Sequence, residues 1–164
     1  MRIRPAKLRD LDPLMGITLR CIKHLDSLKI YQWDEIYPSE KDFKSDILDG
    51  NLFIVAPPHE EIIRGCICIN DREYPGYEDA YWDRSEFVVI HKILIEPLYE
   101  DLGFGRYAMT FAEKVACSHK KDSIRLDCYR KNIKANRFYQ KLGYTLKGVT
   151  LFRKGIFNLY EKLL

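Results

Sequence analysis

The sequence predicts an α/β or α+β domain built around a mixed β-sheet. Segments in which apolar residues have helical spacing alternate with short segments rich in β-branched residues. Residues 87–97, FVVIHKILIEP, are almost continuously apolar, which is typical of a strand buried on both faces at the centre of a sheet. The 164 residues contain no internal repeat and no low-complexity segment, so we expect a single domain over residues 1–164.

The N-terminal part of the chain predicts a strand followed by two helices. Residues 2–6 form a short strand pattern, and residues 7–28 have apolar positions at helical spacing. Ser39 with Asp42 three residues later resembles a capping box that opens a second helix. Gly50 is placed to end this helix.

A β-hairpin and a long connection follow. Residues 51–56 and 62–70 both read as strands, and the turn-forming residues 57–60 join them. Residues 71–86 are rich in aromatic and acidic side chains and have no clear period. A connection of this length inside a compact domain is often functional. The buried strand 87–97 comes next.

The remainder predicts a helix, a strand, a short helix and two final strands. These elements cover residues 105–121, 123–129, 134–144, 144–149 and 155–164. Gly143 is placed to close the short helix. The whole chain therefore predicts about seven strands and about four helices.

Composition excludes several classes of function. A net charge of +3 on a chain with 31% charged residues gives no argument for nucleic acid as a partner. The five cysteines are odd in number and no secretory signal is seen, so free thiols in the cytoplasm are expected. No apolar run reaches the roughly 18 residues that a membrane span needs. Because the histidines are scattered singly, no metal site is expected.

A Gly-x-Gly sequence lies just before the predicted third helix. Gly103, Gly105 and Ala108 spell G-x-G-x-x-A, a pattern that occurs in dinucleotide-binding sites. Glycines permit a positive φ and close approach, and a helix N-terminus attracts phosphate, although a capped turn without ligand gives the same pattern. The Rossmann-like version requires its first glycine directly after the strand, whereas Pro97 and the residues after it intervene. Few residues remain after Asp127 to complete such a fold.

A second motif changes the interpretation of this loop. Within LDCYRKNIKANRFYQKLGY its residues are Asn132, Ala135, Phe138, Tyr139, Gly143 and Tyr144. Together with the strand that ends at Pro97 and the Gly-x-Gly loop, this motif resembles the GNAT superfamily of N-acetyltransferases, and in particular a bacterial branch of small GNAT proteins. The resemblance covers nearly the whole chain. It implies a GNAT fold, in which a V-shaped opening separates the two central parallel strands.

The resemblance implies acetyl-CoA as the cofactor, lying between strands 87–96 and 123–128. The pantetheine arm would pair with backbone groups of Ile93, Leu94 and Ile95, one of which would also polarise the thioester carbonyl. The diphosphate would bind the backbone amides of Asp101, Leu102, Gly103, Phe104, Gly105 and Arg106. Asn132 matches the family asparagine that touches the cofactor arm, and it also suits a helix N-cap.

One departure from the family pattern concerns the cofactor loop. Glu100 stands where the family usually has Gln or Arg, and Asp101 follows it. Two carboxylates should repel a diphosphate, although Arg106 at the start of the helix can compensate. If backbone amides make most of the contacts, the affinity for coenzyme A survives.

The resemblance also implies catalytic residues. Tyr139 matches the tyrosine that protonates the leaving thiolate in many members, although a core position on a helix explains the same residue. His91 lies on the central strand, where it suits either a base that accepts the amine proton or a hydrogen-bonded core histidine. Glu86 and Glu96 are weaker candidates for the base, and Glu96 is expected to be a surface acid. Cys128 is expected to be a small buried thiol.

The acceptor side is expected to contain aromatic side chains. Trp33, Tyr37, Tyr81 and Trp82 lie with several acids in the segments that face the acceptor in this fold, and such a surface suits a cationic amine. Loop packing explains the same residues. We therefore expect direct acetyl transfer to a primary amine of a small molecule or peptide. An acyl-CoA-binding or regulatory GNAT domain with little turnover is the alternative, and a homodimer is compatible with the superfamily.

Overall fold

The computed structural model describes residues 1–59 and 62–164. Its strands and α-helices are, in chain order, β1 (Arg2–Pro5), α1 (Leu11–Ser27), α2 (Glu40–Leu48), β2 (Leu52–Ala56), β3 (Gly65–Asn70), β4 (Phe87–Ile95), α3 (Phe104–Ser118), β5 (Ser123–Tyr129), α4 (Ile133–Lys141), β6 (Thr145–Phe152) and β7 (Gly155–Leu163). The strands form one sheet in the order β1-β2-β3-β4-β5-β7-β6. The predicted α/β architecture, with seven strands and four α-helices in the described residues, is confirmed.

The chain divides into two compact units that each combine separate stretches of sequence. The first unit contains Met1–Ile69 and His91–Ala112, and the second contains Asn70–Ile90 and Glu113–Leu164. The expectation of a single domain stays a prediction. No helix in the described part of the chain combines the length and the apolar character needed to cross a membrane.

The first unit contains the predicted hairpin. β1 pairs antiparallel with β2, and β2 pairs antiparallel with β3. β3 begins at Gly65 rather than at residue 62, and the predicted turn at residues 57–60 lies partly outside the described residues. α1 and α2 cover this sheet with an apolar cluster that includes Leu14, Ile17, Phe43, Leu52, Ile54, Cys66, Cys68 and Leu94.

Helix starts in the first unit follow local hydrogen bonding. The capping box before α2 is confirmed, because the Ser39 hydroxyl accepts the Asp42 N–H and the Asp42 carboxylate accepts the Ser39 N–H. The single helix predicted over residues 7–28 is wrong at its start, where a 3-10 turn precedes α1. The Asp10 carboxylate accepts the Lys7 N–H at 2.7 Å and the Arg4 guanidinium at 2.7 and 2.8 Å. These hydrogen bonds fix the position of the residues that precede α1.

The second unit contains the paired segment of the two central parallel strands. β4 and β5 are parallel, as predicted, with the paired register running from Phe87 opposite Ser123 to Ile90 opposite Leu126. β5 then pairs antiparallel with β7, and β7 with β6. The predicted opening between β4 and β5 beyond this register stays a prediction.

The long connection at residues 71–86 packs firmly in the second unit. It contains a 3-10 helix, Tyr77–Asp79. The Tyr77 side chain is 1% exposed, and its hydroxyl donates a hydrogen bond to the Asp127 carboxylate at 2.9 Å. A Cβ at Gly148 on β6 would lie 2.8 Å from the Ala80 Cα, so the glycine permits this close approach. The segment is therefore closely packed rather than a loose loop.

One arginine ties both ends of this connection to β5. The buried Arg125 guanidinium contacts the Glu73 carboxylate and the Arg84 carbonyl. Its guanidinium carbon lies 4.4 Å from the Trp82 ring centre and 3.8 Å from that of Phe87. Such stacking suits arginine, which is planar and weakly hydrated.

Candidate active site

The Gly-x-Gly loop turns directly into the N-terminus of α3. Asp101 and Gly103 both have left-handed backbone, with φ of 61° and 86°. The Gly103 carbonyl then accepts the Tyr107 N–H at 3.0 Å, the hydrogen bonding of a helix start. Gly103 therefore uses the positive φ that glycine permits, whereas Gly105 lies inside α3, where helical backbone has negative φ.

Two glutamates next to this loop contact α1. Glu96 is only 6% exposed, and its carboxylate accepts three hydrogen bonds of 2.6 to 3.0 Å from Arg20. The expectation that Glu96 is a surface acid is therefore wrong, because the paired guanidinium compensates its burial. Glu100 lies 3.7 Å from the His24 ring nitrogen, and both side chains are about one-third exposed.

β4 carries the residues that sequence analysis assigned to the pantetheine arm, Ile93 to Ile95, and the candidate base His91. Lys92 and Leu94 are buried, whereas His91, Ile93 and Ile95 are half-buried. The Ile95 carbonyl accepts the Cys21 thiol at 3.2 Å. Burial is the main cause that raises the pKa of Cys21 to about 12, so this thiol is protonated at neutral pH.

Sequence analysis missed a buried ion pair beside the proposed acceptor residues. Lys92 is 3% exposed, and its ammonium lies 2.8 Å from the Asp46 carboxylate of α2. The same ammonium lies 5.4 Å from the centre of the Tyr37 ring, and Trp33 packs against the apolar cluster of this unit. The signal that could have revealed this pair was a lysine inside an almost continuously apolar strand, because a buried lysine needs a partner.

Two asparagines organise the start of α4 in the second unit. Asn132 is the N-cap of α4, and its side-chain oxygen accepts the Ala135 N–H at 3.0 Å. The predicted N-cap role is confirmed. Sequence analysis missed Asn136, a buried side chain that donates to the carbonyls of Asn132 and Tyr129 at 2.7 and 2.9 Å. Its oxygen accepts further hydrogen bonds from β7.

Tyr139 lies in an aromatic cluster on α4. The side chain is 7% exposed, and its ring centre is 6.0 Å from that of Tyr144 and 6.4 Å from that of Tyr160. Burial is the main cause that raises the pKa of Tyr139 well above its usual value, and the nearby Cys128 thiol adds to it. The phenol is therefore protonated at neutral pH, as a proton donor must be.

The proposed acceptor residues are divided between the units. Trp33 and Tyr37 belong to the first unit, and Tyr81 and Trp82 to the second. Tyr81 is 89% exposed, whereas the Trp82 indole N–H donates to the Tyr77 carbonyl at 2.9 Å. Of the remaining site residues, the first unit contains His91, Ile93, Leu94, Ile95, Asp101, Leu102, Gly103, Phe104, Gly105 and Arg106, and the second contains Asn132 and Tyr139.

The described residues contain no metal-ligating cluster, and two of the buried thiols are poor nucleophiles. Within residues 1–59 and 62–164, no group of three or more His, Cys, Asp or Glu side chains could hold a metal ion. Burial raises the pKa of the Cys66 and Cys128 thiols well above the usual range, which disfavours the nucleophilic thiolate. The thiol of Cys128 is buried, as predicted.

The fold is that of solved acetyltransferases. A GNAT-family acetyltransferase from Streptococcus agalactiae is 23% identical, with a TM-score of 0.80 over 99% of this chain and 95% of that chain. One from Listeria monocytogenes is 21% identical, with a TM-score of 0.78 over 99% and 94%. PaiA N-acetyltransferase from Thermoplasma acidophilum, solved in complex with coenzyme A, is 16% identical, with a TM-score of 0.75 over 99% and 98%.

The sequence match is to the same class. The model of the acetyltransferase (GNAT) family matches residues 19–144. The chain therefore belongs to the GNAT acetyltransferase family, and the resemblance inferred from its two motifs is confirmed. The transferase class and the acetyl-CoA donor are those of this family. The Rossmann-like alternative does not hold.

Proposed function

We propose that this chain transfers the acetyl group of acetyl-CoA directly to a primary amine of a small molecule or peptide. The observation that carries the proposal is the left-handed turn at Asp101 and Gly103, which leads straight into α3. Backbone N–H groups at such a helix N-terminus attract phosphate, and the diphosphate of coenzyme A is the group that the family would place there.

The remaining cofactor contacts are proposed from the family motifs. Backbone groups of Ile93, Leu94 and Ile95 would bind the pantetheine arm, and residues 101–106 would bind the diphosphate. Asn132 would touch the arm while it caps α4. These contacts are mostly backbone contacts, so they tolerate the unusual acids at Glu100 and Asp101.

The proposed reaction needs one base and one acid. The neutral amine nitrogen attacks the thioester carbonyl carbon, while a backbone N–H of β4 stabilises the oxygen that becomes negative. The C–S bond then breaks, and the leaving thiolate takes the phenolic proton of Tyr139. His91, directly or through water, accepts the proton that the amine loses. Proton exchange with solvent restores the phenol. No covalent enzyme intermediate forms.

We propose that Trp33, Tyr37, Tyr81 and Trp82 contact the acceptor, a cationic amine before it loses its proton. The exposure of Tyr81 supports a contact role for this residue. Trp82 has its indole N–H committed to the main chain, so its contribution would come from the ring alone.

A second candidate function is acyl-CoA binding or regulation with little turnover. Glu100 and Asp101 favour it, because two acids precede the loop that would bind the diphosphate. The protonated Tyr139 favours catalysis instead. We further propose a cytoplasmic location, since none of the five cysteines forms a disulfide, and a homodimer remains compatible with either function.

Calorimetric titration with acetyl-CoA, coenzyme A and NAD tests the cofactor. Binding of the first two without NAD is expected, and binding of NAD alone would overturn the proposal. A panel of polyamines, amino acids and peptide N-termini is then assayed for release of coenzyme A. Turnover with any amine supports the transferase, whereas tight binding of acetyl-CoA without turnover across the panel supports the binding domain.

A further inference from the structure

The positive charge of the protein is concentrated in one stretch of the second unit. Residues 128–160 contain eight of the 27 lysines and arginines and none of the 24 aspartates and glutamates. This stretch therefore carries a charge of +8, and the rest of the chain carries −5. A net charge of +3 for the whole chain conceals this asymmetry, which is a common sign of a surface that binds an anionic partner.

Four cations of this stretch lie on the surface around α4. Arg130 and Lys131 precede α4, and Arg137 and Lys141 lie one turn apart on it, so the last two share a face. All four are exposed, and no carboxylate within residues 1–59 and 62–164 forms an ion pair with them. The other cations of the stretch have contacts within the protein. Only these four are therefore counted as available to a negatively charged partner.

β6 presents aliphatic side chains on the face of the sheet that α4 covers. The side chains of Asn158 and Tyr160 on β7 donate to Asn136 of α4, which identifies this face. Residues that pair across two strands point to the same face of a sheet. On β6 these partners are Leu146 and Val149, and a register shift after Leu146 keeps both on one face. The aliphatic face and the cations of α4 therefore lie on the same side of the sheet.

The aliphatic face extends to the end of the hairpin and is open to solvent. Leu151 pairs with Ile156, one step of the alternation beyond the pair formed by Val149. All four aliphatic side chains are exposed, and Leu151 is 77% exposed. Exposed apolar side chains that adjoin one another and are bordered by polar groups are typical of a binding surface.

The chemistry of this surface selects among anionic partners. Membrane interfaces favour exposed aromatic side chains, and single-stranded nucleic acids stack their bases on them. Residues 128–160 have no exposed aromatic side chain. In a symmetric dimer built on this surface, two positively charged surfaces would face each other. Carboxylates with aliphatic side chains among them match both the cations and the aliphatic residues.

We propose that α4 and β6 form a docking surface for an acidic segment of another protein that carries aliphatic side chains among its carboxylates. The cations of this surface are Arg130, Lys131, Arg137 and Lys141, and its aliphatic residues are Leu146, Val149, Leu151 and Ile156.

A labelled peptide of glutamate and leucine, about twelve residues long, tests the surface on the full chain by fluorescence anisotropy. Its N-terminus is acetylated, so it offers no primary amine, and failure of docking is distinguishable from failure of acetyl transfer. We expect one saturable site that persists with saturating coenzyme A and weakens about tenfold from low to physiological salt, because the four cations are exposed. A peptide with serine in place of leucine should bind about threefold more weakly.

Matched variants locate the site. Arg137→Gln combined with Lys141→Gln should weaken binding of the glutamate–leucine peptide by about fivefold. Lys41→Gln combined with Lys44→Gln removes the same charge from the exposed surface of α2 and should leave the affinity unchanged. Leu151→Ser should weaken binding by about threefold, whereas Leu48→Ser, at an exposed leucine of α2, should not.

Several results would overturn the proposal. These are the absence of saturable binding, loss of binding with coenzyme A, and equal weakening by the α2 variants. A DNA duplex, or vesicles of phosphatidylserine and phosphatidylcholine, may not bind more tightly than the peptide if the proposal holds. Self-association of the parent chain that Arg137→Gln combined with Lys141→Gln abolishes would assign the surface to a second copy instead.

Discussion

Tyr139 and Tyr144 are two buried tyrosines in the same aromatic cluster. Burial is the first cause that raises the pKa of both, so both stay protonated through the working range of the enzyme. The Tyr144 hydroxyl, however, is buried without a hydrogen-bond partner among the described residues. Only Tyr139 occupies the position that the family motif assigns to the proton donor.

Tyr139→Phe should lower kcat by about 100-fold, because the thiolate would leave without a general acid, while Kd for acetyl-CoA changes little. The raised pKa predicts that the parent enzyme shows no falling basic limb from this phenol below about pH 10. Steady-state kinetics across pH checks both. Tyr144→Phe is the control and should keep kcat while gaining about 1 kcal/mol of stability. An unchanged kcat in Tyr139→Phe would remove Tyr139 as the acid.

Glu100 tests how much side-chain charge matters to cofactor binding. Glu100→Gln removes one negative charge beside the proposed diphosphate loop and should tighten coenzyme A binding by about two- to fivefold, the effect of about 0.5 to 1 kcal/mol expected for exposed charges. Calorimetry measures the change, with Glu40→Gln on the exposed face of α2 as the control. Weaker binding would mean that Glu100 acts through His24, its neighbour at 3.7 Å, to hold the loop.

At the scale of elements, one side chain connects the start of α4 to β7. The Asn136 amide oxygen accepts hydrogen bonds from Asn158 at 2.7 Å and from Tyr160 at 2.9 Å. Its NH₂ group donates to the carbonyls of Asn132 and Tyr129. The network is buried, so its hydrogen bonds have few replacements from water.

Asn136→Ala should lower the free energy of unfolding by about 2 to 4 kcal/mol, because it leaves several buried polar groups without partners. It should also raise KM for acetyl-CoA, since the position of Asn132 depends on the same bonds. Urea denaturation and kinetics provide the measurements. Gln140→Ala, which removes only a long 3.4 Å contact to Tyr160, should cost less than about 0.5 kcal/mol. Equal costs for the two variants would contradict this account.

Local elements were predictable from sequence, whereas partners from distant segments were not. The capping box of Ser39 was readable because both partners lie within one helical turn. Glu96 was misjudged because its partner Arg20 lies 76 residues away. In the same way, Tyr77 gave no sign that its phenol would reach Asp127, which is 50 residues away. Helical spacing identifies which residues are buried, but the pairing of buried charges depends on how elements pack.

At the scale of the whole molecule, the buried thiols determine the response to alkaline pH. Burial raises the pKa of Cys21, Cys66 and Cys128 in the folded state. Above about pH 8.5 the unfolded chain releases these protons while the folded chain retains them. The stability is therefore fully present below the thiol pKa of the unfolded chain and is lost as pH rises above it.

Each such thiol should contribute a loss of up to about 1.4 kcal/mol per pH unit between pH 9 and 11. Chemical denaturation under reducing conditions at several pH values measures the slope. Cys66→Ala should reduce the slope by about one-third of the thiol contribution. A slope that is insensitive to Cys66 would assign the alkaline loss to the buried tyrosines.

The contacts of Arg125 with residues 71–86 have a consequence for a proteolytically cleaved chain. Glu73 precedes the exposed Tyr81 in the sequence and Arg84 follows it, and the same guanidinium contacts both. Chymotrypsin cleavage after Tyr81 would thus leave two fragments that Arg125 still joins, together with contacts such as those of Tyr77 with Asp127 and of Arg20 with Glu96. The nicked protein should elute as a single species in gel filtration and separate only in denaturant, because these side chains bridge the broken backbone.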